Sequence, residues 1–504
     1  MGNFAIGVIL AFQIAFSMVS FGEGDLKGPQ YLMESCLFTN LVCGYSVQLG
    51  EDFSVDMSMA EVCTILTSPD TRIEIYQQEL NGDDINSYTG YSNGFLANSK
   101  DHHLIFEGWE SIGEHEVYVT CWYRDKLRRV EQDKNYYITF DIGCGQCVYS
   151  IFVKTSKVIQ DPTEYYSIPE SFRIIPATER KDPWTSEITD MSERNWNAET
   201  LAYYQSMFGN DSELQWGLFE PLFCSGTIEQ VDCYEDVLNY DFQVLLHYSA
   251  FRLEPEKINI GPLLDLAWKN GKVLELTLQT YNTLGGNDMY CILQGKYDLF
   301  LKKYAQTIAN FGHPVLFRLN NEMNGDWCPY SGYLTSKDTL IYKEVYRYVY
   351  DVFKECGADR NTIWVWNPNG KSFPNYDWNH SLMYYPGDAY VDVVGMTAYN
   401  TGTYYASFGE TWQEFEPLYR QLYRDYCATY AHPLMITEFS CANMGGDKNR
   451  WVENMFHTIG EYDRIKIAVW WDHCDYDSNG FVSRSYVLDE TPELLEIFRM
   501  NLAK

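Results

Sequence analysis

Two glutamates in the second half of the sequence stand at the ends of apolar runs of strand length. Glu322 lies in "RLNNEMNGDW", directly after "HPVLF", and Glu438 closes the run "PLMITE". Two carboxyl groups that face each other can hydrolyse a glycosidic bond: at a separation of about 5 to 5.5 Å, one serves as acid and base and the other as nucleophile. For each glutamate taken alone, a helix cap or an ion pair is the alternative interpretation.

The segments that would position these glutamates alternate between strand-like and helix-like patterns. From about residue 195 onward, amphipathic stretches such as 297–311 and 341–357 separate apolar runs, and Gly357 ends the second of these helices. Eight such units in about 300 residues predict an α/β fold, the (β/α)8 TIM barrel. The predicted strands are 216–221, 242–248, 272–278, 314–319, 362–367, 391–396, 433–439 and 466–471.

The order of these strands would bring the two glutamates together. In a (β/α)8 barrel, the side chains that do chemistry follow the C-terminal ends of the strands. Glu322 follows the fourth predicted strand, and Glu438 ends the seventh. Because these two strand ends can face each other across the barrel mouth, the pair becomes a candidate active site.

The first 160 residues have a different pattern. Residues 25–160 contain short β-rich runs such as "TRIEIYQQ", "HEVYVTCWY" and "NYYITFDI", which predict a small all-β, sandwich-like domain. Two roles are open for this domain. It is either a structural accessory domain or a carbohydrate-binding module that uses Tyr76, Trp109 or Trp122.

Three further segments complete the predicted organisation. Residues 161–194 are rich in proline and are predicted to form a linker that leads to the barrel, which spans 195–504. The first 21 residues carry no charge, so residues 1–24 are predicted to be a signal peptide, with a membrane anchor or a buried N-terminal segment as alternatives. We therefore expect a secreted or cell-surface protein.

The net charge and the cysteine spacing limit the classes of ligand and partner that the protein can bind. The formal net charge of −33 is spread along the chain and repels nucleic acids, anionic membranes and acidic polysaccharides. The one tight cysteine pair, Cys144 and Cys147, has neither a second pair nor histidines at zinc-site spacing. No phosphate-binding loop, GxSxG or HExxH pattern is present. The sequence therefore predicts a monomer with no metal and no cofactor.

Five stretches in order resemble one enzyme family. "FGHPVLFRLNNEMNGDW" resembles the acid/base motif of glycoside hydrolase family 26, in which an arginine stands four residues before the catalytic glutamate. "WVWNPN", "YYPGDAYVDVVGMTAYN", "LMITEFS" and "AVWWD" resemble the fifth to eighth strand motifs of that family, in the same order. The resemblance covers about residues 195 to 500 and implies a clan A (β/α)8 barrel.

The resemblance assigns roles to the residues of the barrel mouth. Glu322 would be the general acid and then base, and Glu438 the nucleophile that forms a glycosyl-enzyme intermediate. Arg318 is the natural cation to hold Glu438 ionised, and Tyr399 matches the family tyrosine that reaches toward the nucleophile. Asn321 is a departure, because the family typically has histidine there; in most other families of the clan an asparagine at this place contacts the sugar 2-hydroxyl.

Aromatic residues extend the predicted site. Trp471 resembles the tryptophan platform beneath the sugar at the cleavage site, and alternation along the strand allows either Trp470 or Trp471, not both, to face the lumen. His247, at the end of the second strand, either binds sugar or is a core histidine. Flanking subsites could be lined by Trp327, Tyr330, Trp366 and Trp412.

The resemblance implies a retaining endo-β-glycanase that acts on a neutral β-linked polysaccharide. The first expected substrate is β-1,4-mannan, which would make the protein similar to mannan endo-1,4-β-mannosidases. Mixed-linkage β-glucan and β-1,3-xylan are the next candidates. Two other hypotheses stay open: a non-catalytic carbohydrate-binding protein on this barrel, and a cell-surface protein whose β-domain carries the binding function.

Overall fold

The computed structural model describes residues 30–178 and 183–502. The predicted signal peptide or anchor, residues 1–24, lies outside the described residues. Among the helices that are described, none has the length and apolar character needed to cross a membrane.

Two antiparallel sheets form the N-terminal domain. Along each strand, alternate side chains point inward, so one face of the larger sheet packs against the smaller sheet around a core that includes Phe38, Ile73 and Ile151. The larger sheet has the order β4-β5-β6-β10-β9-β8-β7, with helix α1 (Ile85–Ser92) inserted between β6 and β7. The strands are β1 (Tyr31–Glu34), β2 (Leu37–Asn40), β3 (Tyr45–Gln48), β4 (Ser54–Asp56), β5 (Thr64–Thr67), β6 (Thr71–Glu79), β7 (His103–Ile112), β8 (His115–Tyr123), β9 (Tyr136–Cys144) and β10 (Cys147–Thr155).

The segment after β10 returns to the smaller sheet. Helix α2 (Ser167–Ser171) is followed by strand β11 (Arg173–Ile174), which pairs antiparallel with β3 and completes the sheet order β1-β2-β3-β11. The first part of the predicted linker 161–194 therefore forms regular structure that packs on the N-terminal domain.

The predicted (β/α)8 barrel is confirmed. Eight parallel strands close into a barrel, with β12 hydrogen-bonded to both β13 and β19. Each strand lies within two residues of its predicted bounds at its N-terminal end, because long apolar runs are the most reliable pattern in the chain. The strands are β12 (Gln215–Phe219), β13 (Val244–Ala250), β14 (Val273–Gln279), β15 (Val315–Leu319), β16 (Thr362–Trp366), β17 (Val393–Thr397), β18 (Leu434–Phe439) and β19 (Ile465–Trp471).

Helices surround this barrel, except between β16 and β17. There the chain forms three short 3-10 helices, Asp377–Asn379, Ser381–Tyr384 and Asp388–Tyr390. A hairpin of β20 (Cys474–Tyr476) and β21 (Val482–Ser485) follows β19. The helices are α3 (Ala198–Phe208), α4 (Glu229–Leu238), α5 (Ile260–Lys269), α6 (Asp288–Leu293), α7 (Asp298–Phe311), α8 (Leu340–Glu355), α9 (Phe415–Thr429), α10 (Lys448–Ile459) and α11 (Pro492–Leu502).

The N-terminal domain docks against the loops at the barrel mouth. Helix α6, in the connection that follows β14, contributes Tyr290, whose hydroxyl lies 3.0 Å from His102 Nε2. In the loop after β16, Trp378 Nε1 donates to Ser92 Oγ at 3.2 Å. Because these loops leave the C-terminal ends of the strands, the domain stands beside the face on which a barrel carries its site.

The docked face of the larger sheet is buried. Tyr76 and Trp122, two of the three aromatic residues considered for carbohydrate binding, are 1% and 0% exposed and belong to the same core cluster as the barrel. Trp109, on the edge strand β7, is the third and is exposed. The sheet face that offers stacked aromatic rings is thus covered by the barrel.

A buried ion cluster joins the two domains. Lys154 Nζ lies 2.8 Å from both Glu74 Oε2 and Asp338 Oδ1, and Asp338 belongs to the loop after β15. Arg72 Nε pairs with the other oxygen of Glu74 at 2.7 Å. Burial alone would raise the pKa of Glu74, but Lys154 and Arg72 lower it to about 2.

We expect Lys154→Met to destabilise the protein by about 3–5 kcal/mol, because it leaves two buried carboxylates without their shared cation. The midpoint of urea unfolding measures this loss. Lys157→Met is the matched control, since Lys157 is 63% exposed and its pair with Asp70 spans 3.5 Å; its cost should stay within about 0.5 kcal/mol. Equal effects of the two variants would contradict a structural role for the cluster.

Candidate active site

Arg318 occupies the interior of the barrel. Alternation along β15 points Leu316 and Arg318 inward and Phe317 outward. The guanidinium is 0% exposed; its Nη1 donates to Asn367 Oδ1 at 2.9 Å and its Nε to Thr277 Oγ1 at 2.8 Å. The third nitrogen, Nη2, donates to Glu438 Oε2 at 2.6 Å. Burial opposes the charge of this arginine, but the adjacent carboxylates hold its pKa above the ordinary value.

Glu438 is held by three donors. Besides Arg318, the hydroxyl of Tyr248 donates to Oε2 and that of Tyr399 to Oε1, the latter at 3.2 Å. A local bulge aims the carboxylate inward: Met396 on β17 is paired with Ile436, whereas the next residue, Thr397, is paired with Glu438. These three donors orient the Glu438 carboxylate and complement its negative charge, as an attacking carboxylate requires.

Glu322 sits in a tight turn directly after β15. Its φ of +57° is left-handed, an uncommon conformation for a residue with a side chain and one that clusters at functional sites. The turn is fixed by Glu322 N donating to Asn367 O at 2.8 Å and by Gly325 N donating to Glu322 O at 2.9 Å. Asn367 therefore anchors both Arg318 and the turn that carries Glu322.

The two glutamates have opposite environments. Burial raises the pKa of Glu322 to about 8, and the negative charge of Glu438 adds to this rise, while Arg318 opposes it. At neutral pH Glu322 therefore keeps its proton beside an ionised Glu438. A protonated carboxyl group beside a carboxylate that accepts three hydrogen bonds is the arrangement that a general acid and a nucleophile require.

Asn321 is oriented by its neighbours. Gln279 Nε2 donates to Asn321 Oδ1 at 2.8 Å, and Tyr330 OH donates to the main-chain oxygen of Asn321 at 2.7 Å. Because the carbonyl side of the amide is occupied by Gln279, the Nδ2 group is the side that can donate to a ligand.

Trp471, rather than Trp470, faces the mouth. Trp471 packs edge-to-face against Tyr399, with ring centroids 6.2 Å apart, and stacks on Phe219 at 5.3 Å. Trp470 is 1% exposed and lies between the barrel and the helices, in contact with Phe439 and Phe498. The predicted platform residue is therefore next to the tyrosine that binds Glu438.

Comparisons with known proteins agree with this geometry. Residues 264–425 match the model of Glycosyl hydrolase family 26. This match supports membership of the barrel in family 26. Endoglucanase H from Acetivibrio thermocellus is 31% identical over 247 residues, which cover 48% of this chain and 25% of that protein. A mannan endo-1,4-beta-mannosidase from Bacillus subtilis is 33% identical over 162 residues, or 27% of this chain and 42% of that protein.

A solved structure of a modular endo-beta-1,4-mannanase from Cellulomonas fimi aligns with 64% of this chain and 76% of that chain, at 19% identity and a TM-score of 0.47. The chain spans about a quarter of the length of the first curated relative, and less than half of the second. The matched family region, residues 264–425, lies within the barrel, and residues 1–160 fall outside that region.

Two predicted sugar contacts of the barrel lie away from the candidate site in the structure. Trp366 is fully buried against Tyr385 and Tyr430, because alternation along β16 points it outward while Asn367 points inward. His247 also points outward from β13, and burial lowers its pKa to about 4. Assigning these two residues to the substrate site was wrong, and the alternative of a core histidine fits His247.

The remaining predicted aromatics differ in exposure and in their contacts. Trp327 is 54% exposed and its ring lies 5.4 Å from that of Phe373. Tyr330 is buried beneath Asn321. Trp412 donates from Nε1 to Glu414 at 3.0 Å and is partly buried. Of these three, Trp327 presents a free ring face at the mouth.

Sequence reasoning missed several site residues. Tyr248 is the inward neighbour of His247, and Glu275, Thr277 and Gln279 share the inward face of β14. Their signal is the alternation in "VLELTLQ", where each second residue of an apolar strand is polar. Glu275 Oε1 lies 3.2 Å from Arg318 Nε, and burial raises the pKa of Glu275 to about 8.

Across the part of the chain that the structure describes, no group of three or more histidine, cysteine, aspartate or glutamate side chains is arranged to hold a metal ion.

The coupling between the two glutamates can be measured by titration. We expect the Glu322 carboxyl to titrate at about pH 8, and its pKa to fall in Glu438→Gln, because the neutral amide removes the negative charge that raises it. The pKa should stay above 4.5, since burial is the larger cause. Carbon-13 NMR of glutamate-labelled protein measures this, with Glu322→Gln assigning the signal; an unchanged pKa in Glu438→Gln would contradict the coupling.

Proposed function

We propose that the protein is a retaining endo-β-glycanase that hydrolyses a neutral polysaccharide by double displacement. The observation that carries this proposal is the pairing of a protonated Glu322 with a Glu438 held by Arg318, Tyr248 and Tyr399 at one barrel mouth. Both glutamates occupy strand ends at the face where a (β/α)8 barrel carries its chemistry.

In the first step, Glu322 donates its proton to the glycosidic oxygen while the Glu438 carboxylate attacks the anomeric carbon. The bond between that carbon and the leaving oxygen breaks, the leaving group departs as an alcohol, and an ester bond joins the sugar to Glu438. Arg318 and the two tyrosines orient the attacking carboxylate, so little reorganisation is needed as the reaction begins.

In the second step, the ionised Glu322 takes a proton from water as the water oxygen attacks the anomeric carbon. The ester bond breaks and Glu438 leaves as a carboxylate, so two inversions give net retention. The coupled environment suits this change of role. Once Glu438 is esterified its charge is gone, and the pKa of Glu322 loses one of the causes that raise it.

Charge and relatives define the substrate class. A net charge of −33 disfavours acidic polysaccharides, so a neutral chain is the substrate we propose. The relatives named mannan endo-1,4-beta-mannosidase support β-1,4-mannan as the first candidate. Such polymers are too large to enter cells, so the proposal places the protein outside the cell or on its surface, acting as a monomer.

Mixed-linkage β-glucan is the second candidate. It is favoured by the match to Endoglucanase H, which covers more of this chain than the mannosidase matches do, and by Asn321 in the place where the family typically has histidine. A panel of soluble mannan, glucomannan, mixed-linkage β-glucan and β-1,3-xylan, with sizing of the products, separates these candidates. Binding to any of them without release of reducing ends would instead support a non-catalytic protein.

Removing either carboxyl group should abolish most turnover. We expect Glu438→Ala to lower kcat by about a thousandfold or more, and Glu322→Ala to lower it by about a hundred- to ten-thousandfold. Only Glu322→Ala should keep substantial activity on a glycoside with a dinitrophenyl leaving group, which departs without a proton. Glu493→Ala, at an exposed position of α11, is the control; near-normal polymer hydrolysis by either glutamate variant would refute the assignment.

The pH profile should report the general acid. Because Glu322 must be protonated in the free enzyme, kcat/KM on polysaccharide should be lost as the pH rises through the Glu322 pKa of about 8. The basic limb should be absent when the substrate has a dinitrophenyl leaving group, since that group needs no acid. If the basic limb of the pH profile is the same with both substrates, the limb must arise from a residue other than Glu322.

A further inference from the structure

One exposed tyrosine of the N-terminal domain reaches the turn of Glu322. Tyr91, in α1, is 40% exposed, and its hydroxyl donates to Asp326 Oδ2 in the loop after β15. Its ring lies 5.1 Å from that of Tyr333, further along the same loop. The N-terminal domain therefore places an aromatic ring against Asp326, which follows the candidate acid Glu322 by four residues in the chain.

A second exposed ring belongs to Trp327, the residue that follows Asp326 in the chain. Trp327 packs over Gly325 so closely that a Cβ there would come within 2.6 Å of the indole, and Gly325 N is bonded to Glu322 O at 2.9 Å. The ring of Trp327 is thereby fixed against the turn that carries Glu322. Tyr91 therefore contacts Asp326, and the exposed ring of Trp327 belongs to the next residue of the same loop.

The position of this cluster along a bound chain follows from the proposed mechanism. A general acid lies on the leaving-group side of the bond, because it protonates the leaving oxygen. The platform residue Trp471 lies instead beside Tyr399 and Glu438, where the attacked sugar must sit. Sugars beyond the leaving group would therefore cross the turn of Glu322 and continue toward Tyr91.

The chemistry of the cluster fits a neutral sugar. Tyrosine and tryptophan rings offer flat apolar faces to the C–H face of a pyranose. An ionised carboxylate has about four lone-pair sites, so Asp326 can accept a sugar hydroxyl in addition to the bond from Tyr91. The alternative aromatic surface of the domain, around Tyr76 and Trp122, is covered by the barrel.

We propose that Tyr91, Asp326 and Trp327 form a leaving-group-side subsite for a neutral β-linked polysaccharide, built jointly by the two domains. The inference rests on the proposed function, because that function defines the direction of the bound chain. It gives the N-terminal domain a binding role through its edge helix rather than through its sheet face.

The test compares a polymer with a short substrate in the full-length protein. Tyr91→Ala should lower the ratio of kcat/KM on soluble glucomannan or mixed-linkage β-glucan to kcat/KM on a dinitrophenyl glycoside by about five- to tenfold, because one aromatic face is lost. Tyr91→Phe keeps the ring and should retain most of the ratio. Tyr31→Ala is the matched control, since Tyr31 is 37% exposed on the distant strand β1.

Three results would overturn the proposal. An unchanged ratio in Tyr91→Ala would show that no sugar contacts the ring. Equal losses on both substrates, repeated in Tyr91→Phe, would show that the hydroxyl merely positions the Glu322 loop. A loss of polymer affinity in Trp109→Ala alone would assign binding to β7.

The proposal can be separated from the proposed function by a binding measurement. Electrophoretic retardation in gels that contain the same polymers, with Glu438→Gln as the parent protein, reports affinity without hydrolysis. If the natural chain hydrolyses none of the polymers, the proposed function fails, and retardation that is weakened by Tyr91→Ala would still support the subsite. Retardation that is unaffected by Tyr91→Ala would exclude it.

Discussion

A buried guanidinium determines the charge of the whole site. Arg318 is taken out of water entirely, and a buried cation is costly unless it is paired and fully hydrogen-bonded. The barrel meets this need with Glu438, Asn367 and Thr277, which come from three other strand ends. Because Arg318 supplies one positive charge, one neighbouring carboxylate is stabilised as an anion, and burial keeps Glu275 and Glu322 protonated at neutral pH.

The same constraint explains why the two glutamates differ although both lie at the barrel mouth. Glu438 receives donors on both oxygens, whereas Glu322 is affected mainly by burial and by the charge of its partner. The turn of Glu322 is fixed through Asn367, the residue that also accepts from Arg318. The loop that leaves this turn then runs to Asp338, where Lys154 of the N-terminal domain binds it. The second domain is therefore part of the framework of the mouth.

Much of this arrangement could be predicted from the sequence, and the failures have a common cause. Strand-length apolar runs identify the barrel, and polar residues at the ends of these runs identify Glu322 and Glu438, whereas Arg318 was identified from the motif resemblance. Successive side chains of a strand point alternately into and out of the barrel, and the residue type alone does not show which of them point inward. For this reason Trp366 and His247 were assigned to the site wrongly, and Tyr248 was overlooked. The docking of the N-terminal domain was not predictable either, because it depends on contacts between segments nearly two hundred residues apart in the chain, such as His102 with Tyr290.

The most direct test of the account is to trap the covalent intermediate. Reaction with a deoxyfluoro glycoside that carries a dinitrophenyl leaving group slows the second step, and mass spectrometry of the proteolysed protein then identifies the labelled residue. The account predicts a single sugar adduct on the peptide that contains Glu438, formed with release of one equivalent of dinitrophenolate. An adduct on the peptide that contains Glu322, or steady turnover without any adduct and with inverted anomeric configuration in the product, would contradict it.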